Sequence, residues 1–197
     1  MSIYIFTALI IYALEFILSI FGQLYASIIL NIAVVSLIGI VLIKAFKELD
    51  TLKTRHWERV SQFWLGGEYK AAILLFVIGG VVANLLLSSV GFIFINLLND
   101  AVNPMDIMID IETVIGLAFL IMGFFAMSLV SFVAALYLID VFTRDIYLLK
   151  IATGAAGIKP HSATFYIIIS LASLGFLYFY WLYRMWKWIT LLKISTQ

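Results

Sequence analysis

Apolar residues in this chain form long blocks rather than an alternating or heptad pattern, and the polar positions serve mainly to divide the blocks. The first block covers residues 3–46 and is broken only by Glu15, Lys44 and a few uncharged polar side chains. A hydrocarbon layer about 30 Å thick takes roughly 20 helical residues at about 1.5 Å each, so this block holds enough for two crossings. Phe21-Gly22-Gln23 falls near its middle, and a glycine beside an amide suits a tight turn. The pattern predicts spans over 3–21 and 24–45; the alternative is one long tilted or in-plane helix. Further blocks predict spans over 71–98, 111–142 and 163–183. Runs such as Ala71-Ala72-Ile73-Leu74-Leu75-Phe76-Val77-Ile78 lack the polar alternation of a membrane β-barrel. The expected architecture is therefore an all-α polytopic transmembrane bundle of about five spans, built as one integral membrane domain over 1–197.

Between the second and third spans the periodicity changes. Leu49, Leu52, His56, Val60 and Phe63 recur at spacings of three and four, while Lys53, Arg55, Glu58 and Arg59 lie elsewhere around the same helix. This predicts an amphipathic helix in 47–70, ended by Gly66-Gly67 and carrying Trp57 and Trp64 as rings suited to a headgroup layer. It would lie on an anionic inner leaflet or dock against a partner. Asn103-Pro104 reads as a cap followed by proline in a first helical turn, and Thr153 to Pro160, with Gly154 and Gly157, as a loop.

Composition agrees with a bilayer environment: 65% of the 197 residues are apolar and 12% charged, against about 45–50% and about 25% in soluble domains. The formal charge of +1 is too balanced for a nucleic-acid surface. Where the charges fall says more than their sum. Lys44, Lys47, Lys53, Arg55, Arg59 and Lys70 cluster around the 47–70 loop, whereas 99–110 has no Lys or Arg but contains Asp100, Asp106 and Asp110. The positive-inside rule makes the 47–70 loop cytoplasmic and the 99–110 loop external, in a multi-pass protein of the cell membrane. Arg144, Lys150 and Lys159 then fall inside. With five spans, however, the tail bearing Arg184, Lys187 and Lys193 falls outside, against the rule, unless 163–183 is not a complete crossing. No cleavable secretory signal is expected, because no basic residue precedes the first block and Glu15 interrupts it.

With no Cys, thiolate catalysis, disulfides and Cys-based metal centres are excluded. His56 and His161 both fall in predicted loops, so two intramembrane histidines for a haem are lacking, as are the sets needed for intramembrane serine or aspartyl proteolysis. No phosphate-cradling loop or HExxH pattern occurs. Neither catalysis, a metal nor a cofactor is expected. Glu15 is the most unusual polar residue, about 18 Å into the first span, where a charge costs roughly 2.5–3.5 kcal/mol. It is either a protonatable relay or a carboxyl held by a hydrogen bond to another helix, and the second reading is favoured. Ala13-Leu14-Glu15-Phe16 superficially resembles the small multidrug-resistance exporters, which have four compact spans and no long charged insert, so their function is not carried across. Asp140 sits four residues from Arg144, a spacing that favours a boundary salt bridge. Asn31 and Asn84 are candidates to hydrogen-bond between helices, and Gly79 with Ala83 and Ser131 with Ala135 are small-residue pairs that permit close approach.

The last block is rich in aromatics, with Trp181, Trp186 and Trp188 beside Arg184 and Lys187. Such rings with snorkelling cations are expected as interface anchors, the sharper alternative being a quinone or lipid-headgroup site. The stretch from Ser173 to Arg184, with glycine, then tyrosine and tryptophan, then a basic residue, resembles small uncharacterised prokaryotic multi-pass membrane families, archaeal ones among them. That resemblance covers about a fifth of the chain and implies a membrane location without an activity. The expected function is a non-catalytic integral membrane subunit or scaffold of a larger complex, with membrane lipids and other membrane subunits, or further copies of itself, as partners and no nucleic acid. The alternative is a small proton- or cation-coupled transporter or channel using Glu15, with Asn31 or Asn84 contributing.

Overall fold

A computed structural model of the chain describes residues 2–55, 69–100, 111–155, 157–173 and 175–195. All regular structure among them is helical. Six helices follow one another: α1 (Ser2–Ile20), α2 (Leu24–Arg55), α3 (Tyr69–Asp100), α4 (Ile111–Thr153), α5 (Ala163–Ala172) and α6 (Phe176–Ser195). The first four are long and apolar enough to cross a bilayer, so by length and composition this is a multi-pass membrane protein.

The first apolar block is two helices, not one. Gly22 takes φ 74° between them, a left-handed conformation that glycine adopts without a Cβ penalty, and Gln23 N–H donates back to the Leu18 carbonyl at 2.9 Å. α2 packs along α3, and α3 along α4. Small residues set that second contact, for a Cβ placed on Gly79 would stand 3.1 Å from both Met127 O and Ser131 N of α4. The two small-residue pairs read from the sequence thus meet inside one chain, and Ser131 Oγ donates to the Phe76 carbonyl at 2.8 Å across the contact.

Two expectations change. α2 runs straight on to Arg55, so Leu49 and Leu52 extend the second helix and bury themselves in the bundle instead of opening a separate amphipathic element. The rest of that predicted helix, with Trp57 and Trp64, lies outside the described residues, as does Asn103-Pro104. The second change concerns the fifth span. The segment 163–183 is not one helix: α5 stops after ten residues, Gly175 turns at φ 90°, and its N–H donates to Ser170 O at 2.8 Å. Ser173 Oγ then accepts from Leu177 N–H at 2.9 Å and caps α6.

α5 and α6 form a helical hairpin, with the Tyr166 and Trp188 ring centroids 6.2 Å apart. Its turn reaches α1, where Tyr12 meets Phe176 at 5.0 Å. α6 then returns to the end from which α5 set out, because Trp181 Nε1 donates to Thr143 Oγ1 of α4 at 3.1 Å and Lys193 pairs with Glu48 of α2. The N-terminus of α1 is at this same end, with Lys44 Nζ 4.5 Å from the centre of the Tyr4 ring. The most tightly packed part of the core lies here too: Leu49, Phe142, Ile146, Leu149, Met185 and Ile189 have no exposed surface.

Candidate functional site

Two polar features stand out inside this apolar frame, an ion cluster near the basic end and a cavity further along the helices. In the first, Lys53 of α2 and Asp145 of α4 are 8% and 1% exposed, with Nζ 3.3 Å from Oδ2. The ammonium donates to the Tyr69 hydroxyl at 3.2 Å and stands 4.4 Å from the centre of that ring, so three helices meet on one charge. Arg144 brings Nε to 3.9 Å from Asp145 Oδ1. A buried ion pair gains its Coulomb energy against a large desolvation penalty, and here a hydroxyl and an aromatic face complete the shell of the lysine. The cluster ties α2, α3 and α4 together at their basic ends.

The sequence reading placed Lys53 on the solvated face of an amphipathic helix, and the structure places it in the core. Asp145 was missed altogether. Its signal is the spacing Leu138, Phe142, Asp145, Leu149, steps of four, three and four that put the aspartate on the buried face of α4.

The second feature is a cavity of about 410 Å³ among all six helices. Its wall is mostly apolar, with Val35 and Ile38 from α2, Phe76 from α3 and Ile139 from α4. Four polar side chains line it as well: Tyr12, Asn31, Ser170 and Tyr178. Ser170 Oγ and Tyr178 OH are buried with no hydrogen-bond partner among the described residues. A polar group left so costs about 1–3 kcal/mol, and unsatisfied buried groups in a native fold call for a physical explanation. Both hydroxyls belong to the α5–α6 hairpin, so the break at Ser173 to Gly175 brings them in together.

The remaining predicted polar residues fall as follows. Asn84 Nδ2 donates to Asn31 Oδ1 at 3.3 Å and to Gly80 O at 2.7 Å, which makes the expected α2–α3 amide contact and puts it at the edge of the cavity. Glu15 accepts from Ser27 Oγ at 2.9 Å. It sits five residues before the end of α1, next to the α1–α2 turn, and does not line the cavity. Asp140 is exposed beside Arg144 and His161 at another, smaller cavity of about 290 Å³.

Trp181 and Trp188 are corrected from interface anchors to core residues, being 0% and 1% exposed. Trp181 spends its N–H on Thr143, and Trp188 packs on Tyr166 with Arg184 5.1 Å from its ring centre. Only Trp186 of the three is partly exposed. An aromatic-rich segment reads alike whether its rings face headgroups or one another. Comparisons with protein-family models, with curated proteins and with solved structures gave no match.

Proposed function

We propose that the protein is a non-catalytic integral membrane subunit whose basic end faces the cytoplasm and whose α3–α4 hairpin docks against the apolar surface of another membrane-protein chain. The observation that carries this reading is a difference in reach between two packed hairpins. From Leu24 to Lys44, α2 measures about 30 Å at about 1.5 Å per residue, which matches the hydrocarbon layer. The Asn31–Asn84 contact registers α2 against α3. From it α2 extends 7 residues to Leu24, whereas α3 extends 16 to Asp100, so α3 overshoots by about 14 Å.

The overshooting surface is not polar. Phe92, Phe94 and Ile95 of α3, with Ile111, Val114 and Ile115 of α4, are exposed there. Tilting a rigid bundle shortens both hairpins together and cannot fit both to one layer. A second apolar protein surface supplies the missing cover. At the other end, every Lys and Arg among the described residues lies in or beside a segment that begins or ends at the basic pole. That distribution supports an even number of crossings with α5–α6 as a re-entrant hairpin, non-crossing and with its turn packed against α1, as non-helical backbone at membrane depth requires, and it removes the conflict with the positive-inside rule.

Against a transporter centred on Glu15 stands the position of that carboxylate, close to a helix end and hydrogen-bonded to Ser27. Mass measurement after extraction into mild detergent or lipid nanodiscs tests the subunit reading. The expected result is a reproducible assembly heavier than the 22.2 kDa chain, dispersed by Phe92→Glu with Ile115→Glu while helicity persists. A solitary monomer would refute it. Liposomes containing the chain alone are expected to show no proton flux, with Glu15 or with Glu15→Gln; flux abolished by the substitution would favour the transporter.

A further inference from the structure

The unsatisfied hydroxyls make the 410 Å³ cavity more than a packing defect. An empty cavity is stable when its lining is apolar, but this one includes two buried O–H groups with no partner among the described residues, Ser170 and Tyr178, each 9% exposed, with the Asn31 amide and the Tyr12 phenol alongside. Its volume falls within the roughly 300–1,000 Å³ of small-molecule pockets, which pair apolar walls with a few convergent polar groups.

We propose that this cavity binds a neutral, chain-bearing lipophile through a carbonyl oxygen that accepts hydrogen bonds from Ser170 Oγ and Tyr178 OH. No charged side chain lines the cavity among the described residues, so a carboxylate or ammonium would enter without a counter-ion and bear the full desolvation cost. The apolar wall takes the hydrocarbon part. Access is lateral: Phe132 of α4 and Leu171 of α5 line the cavity and are 44% and 51% exposed on the outside of the bundle, at a depth where lipid surrounds it. The route from the bilayer therefore passes between α4 and the re-entrant hairpin. Gly175 lines the site beside Tyr12, and a Cβ there would stand 3.1 Å from the Tyr12 hydroxyl. Two sources supply this chemistry, a free ketone or quinone dissolved in the membrane and the ester carbonyl of a resident phospholipid chain.

The test uses the full chain in ether-lipid nanodiscs, which carry no ester carbonyl. Binding of 2-undecanone is followed by the fluorescence of Trp181, whose ring lies 5.2 Å from that of Tyr178. Saturable binding is expected, at least tenfold tighter than for undecane and for undecanoate. Tyr178→Phe and Ser170→Ala should each weaken the ketone five- to tenfold and leave the alkane unchanged, which a purely structural role would not do. Val35→Trp, which fills the cavity, should abolish binding with helicity retained. Repeating the titration in ester-lipid nanodiscs separates the sources: an unchanged affinity identifies a free lipophile, and a several-fold loss by competition identifies the phospholipid ester. Equal binding of ketone and alkane, ketone binding that both hydroxyl variants leave untouched, or no saturable binding would overturn the proposal and leave the hydroxyls to water.

Discussion

Lys53 and Asp145 illustrate how a few buried charges can govern a chain that is otherwise hydrocarbon. Their separation of 3.3 Å and the Tyr69 hydroxyl beside the ammonium make the pair mutually dependent. Removing one partner strands the other in a poorly solvated place, which costs about 3–5 kcal/mol, whereas replacing both with apolar residues of similar volume is often neutral. Lys53→Met and Asp145→Leu singly are therefore expected to destabilise the bundle by about 3–5 kcal/mol, and the double variant by far less than their sum. Unfolding by denaturing detergent, monitored by circular dichroism, measures this; additive losses would show that the pair is not coupled. The face of Asp145 is legible from its spacing to Phe142 and Leu149. Its partner is not, because a lysine flanked by Asp50 and Arg55 reads as solvated until α4 and α3 are seen to cover it.

For the elements, glycine placement governs both approach and interruption. Gly79 lets α4 come within contact of the α3 backbone, and a valine there would have to push against main-chain atoms with no freedom to move aside. Gly79→Val is expected to destabilise by about 1–3 kcal/mol, as overpacking commonly does. Substituting Gly116, which has open space around it, is the comparison; a similar loss at both sites would contradict the close-approach explanation. The small-residue pairs behind this contact are visible in the sequence because their four-residue spacing marks one helix face. The break in the predicted fifth span was not visible. A hydropathy window averages over 163–183 and cannot register Ser173 and Gly175, where one helix ends and the next is capped. That averaging hid the α5–α6 hairpin, and with it the two hydroxyls that the hairpin carries into the cavity.

The whole molecule is polarised along its helices. One end gathers the described Lys and Arg residues, both ends of the described chain and the tightest core; the other presents the α1–α2 turn and the longer, apolar α3–α4 hairpin. Membrane class and the four long helices follow from apolar block length, because bilayer thickness is a ruler that sequence alone can be laid against. The number of crossings does not, because it depended on how one aromatic segment folds. The charge conflict at Arg184, Lys187 and Lys193 already pointed to that segment, and the return of α6 to Glu48 gives it a structural cause.

Because the sequence contains no cysteine, single cysteines can be introduced at Ser2, Gln23 and Ser195 without first altering the background. Labelling with a membrane-impermeant maleimide, in intact cells and after permeabilisation, reads their sides directly. Ser2→Cys and Ser195→Cys are expected to react only after permeabilisation, and Gln23→Cys in intact cells. Labelling of Ser195→Cys from the outside while Ser2→Cys stays protected would mean that the final segment crosses the membrane, and would contradict the re-entrant hairpin.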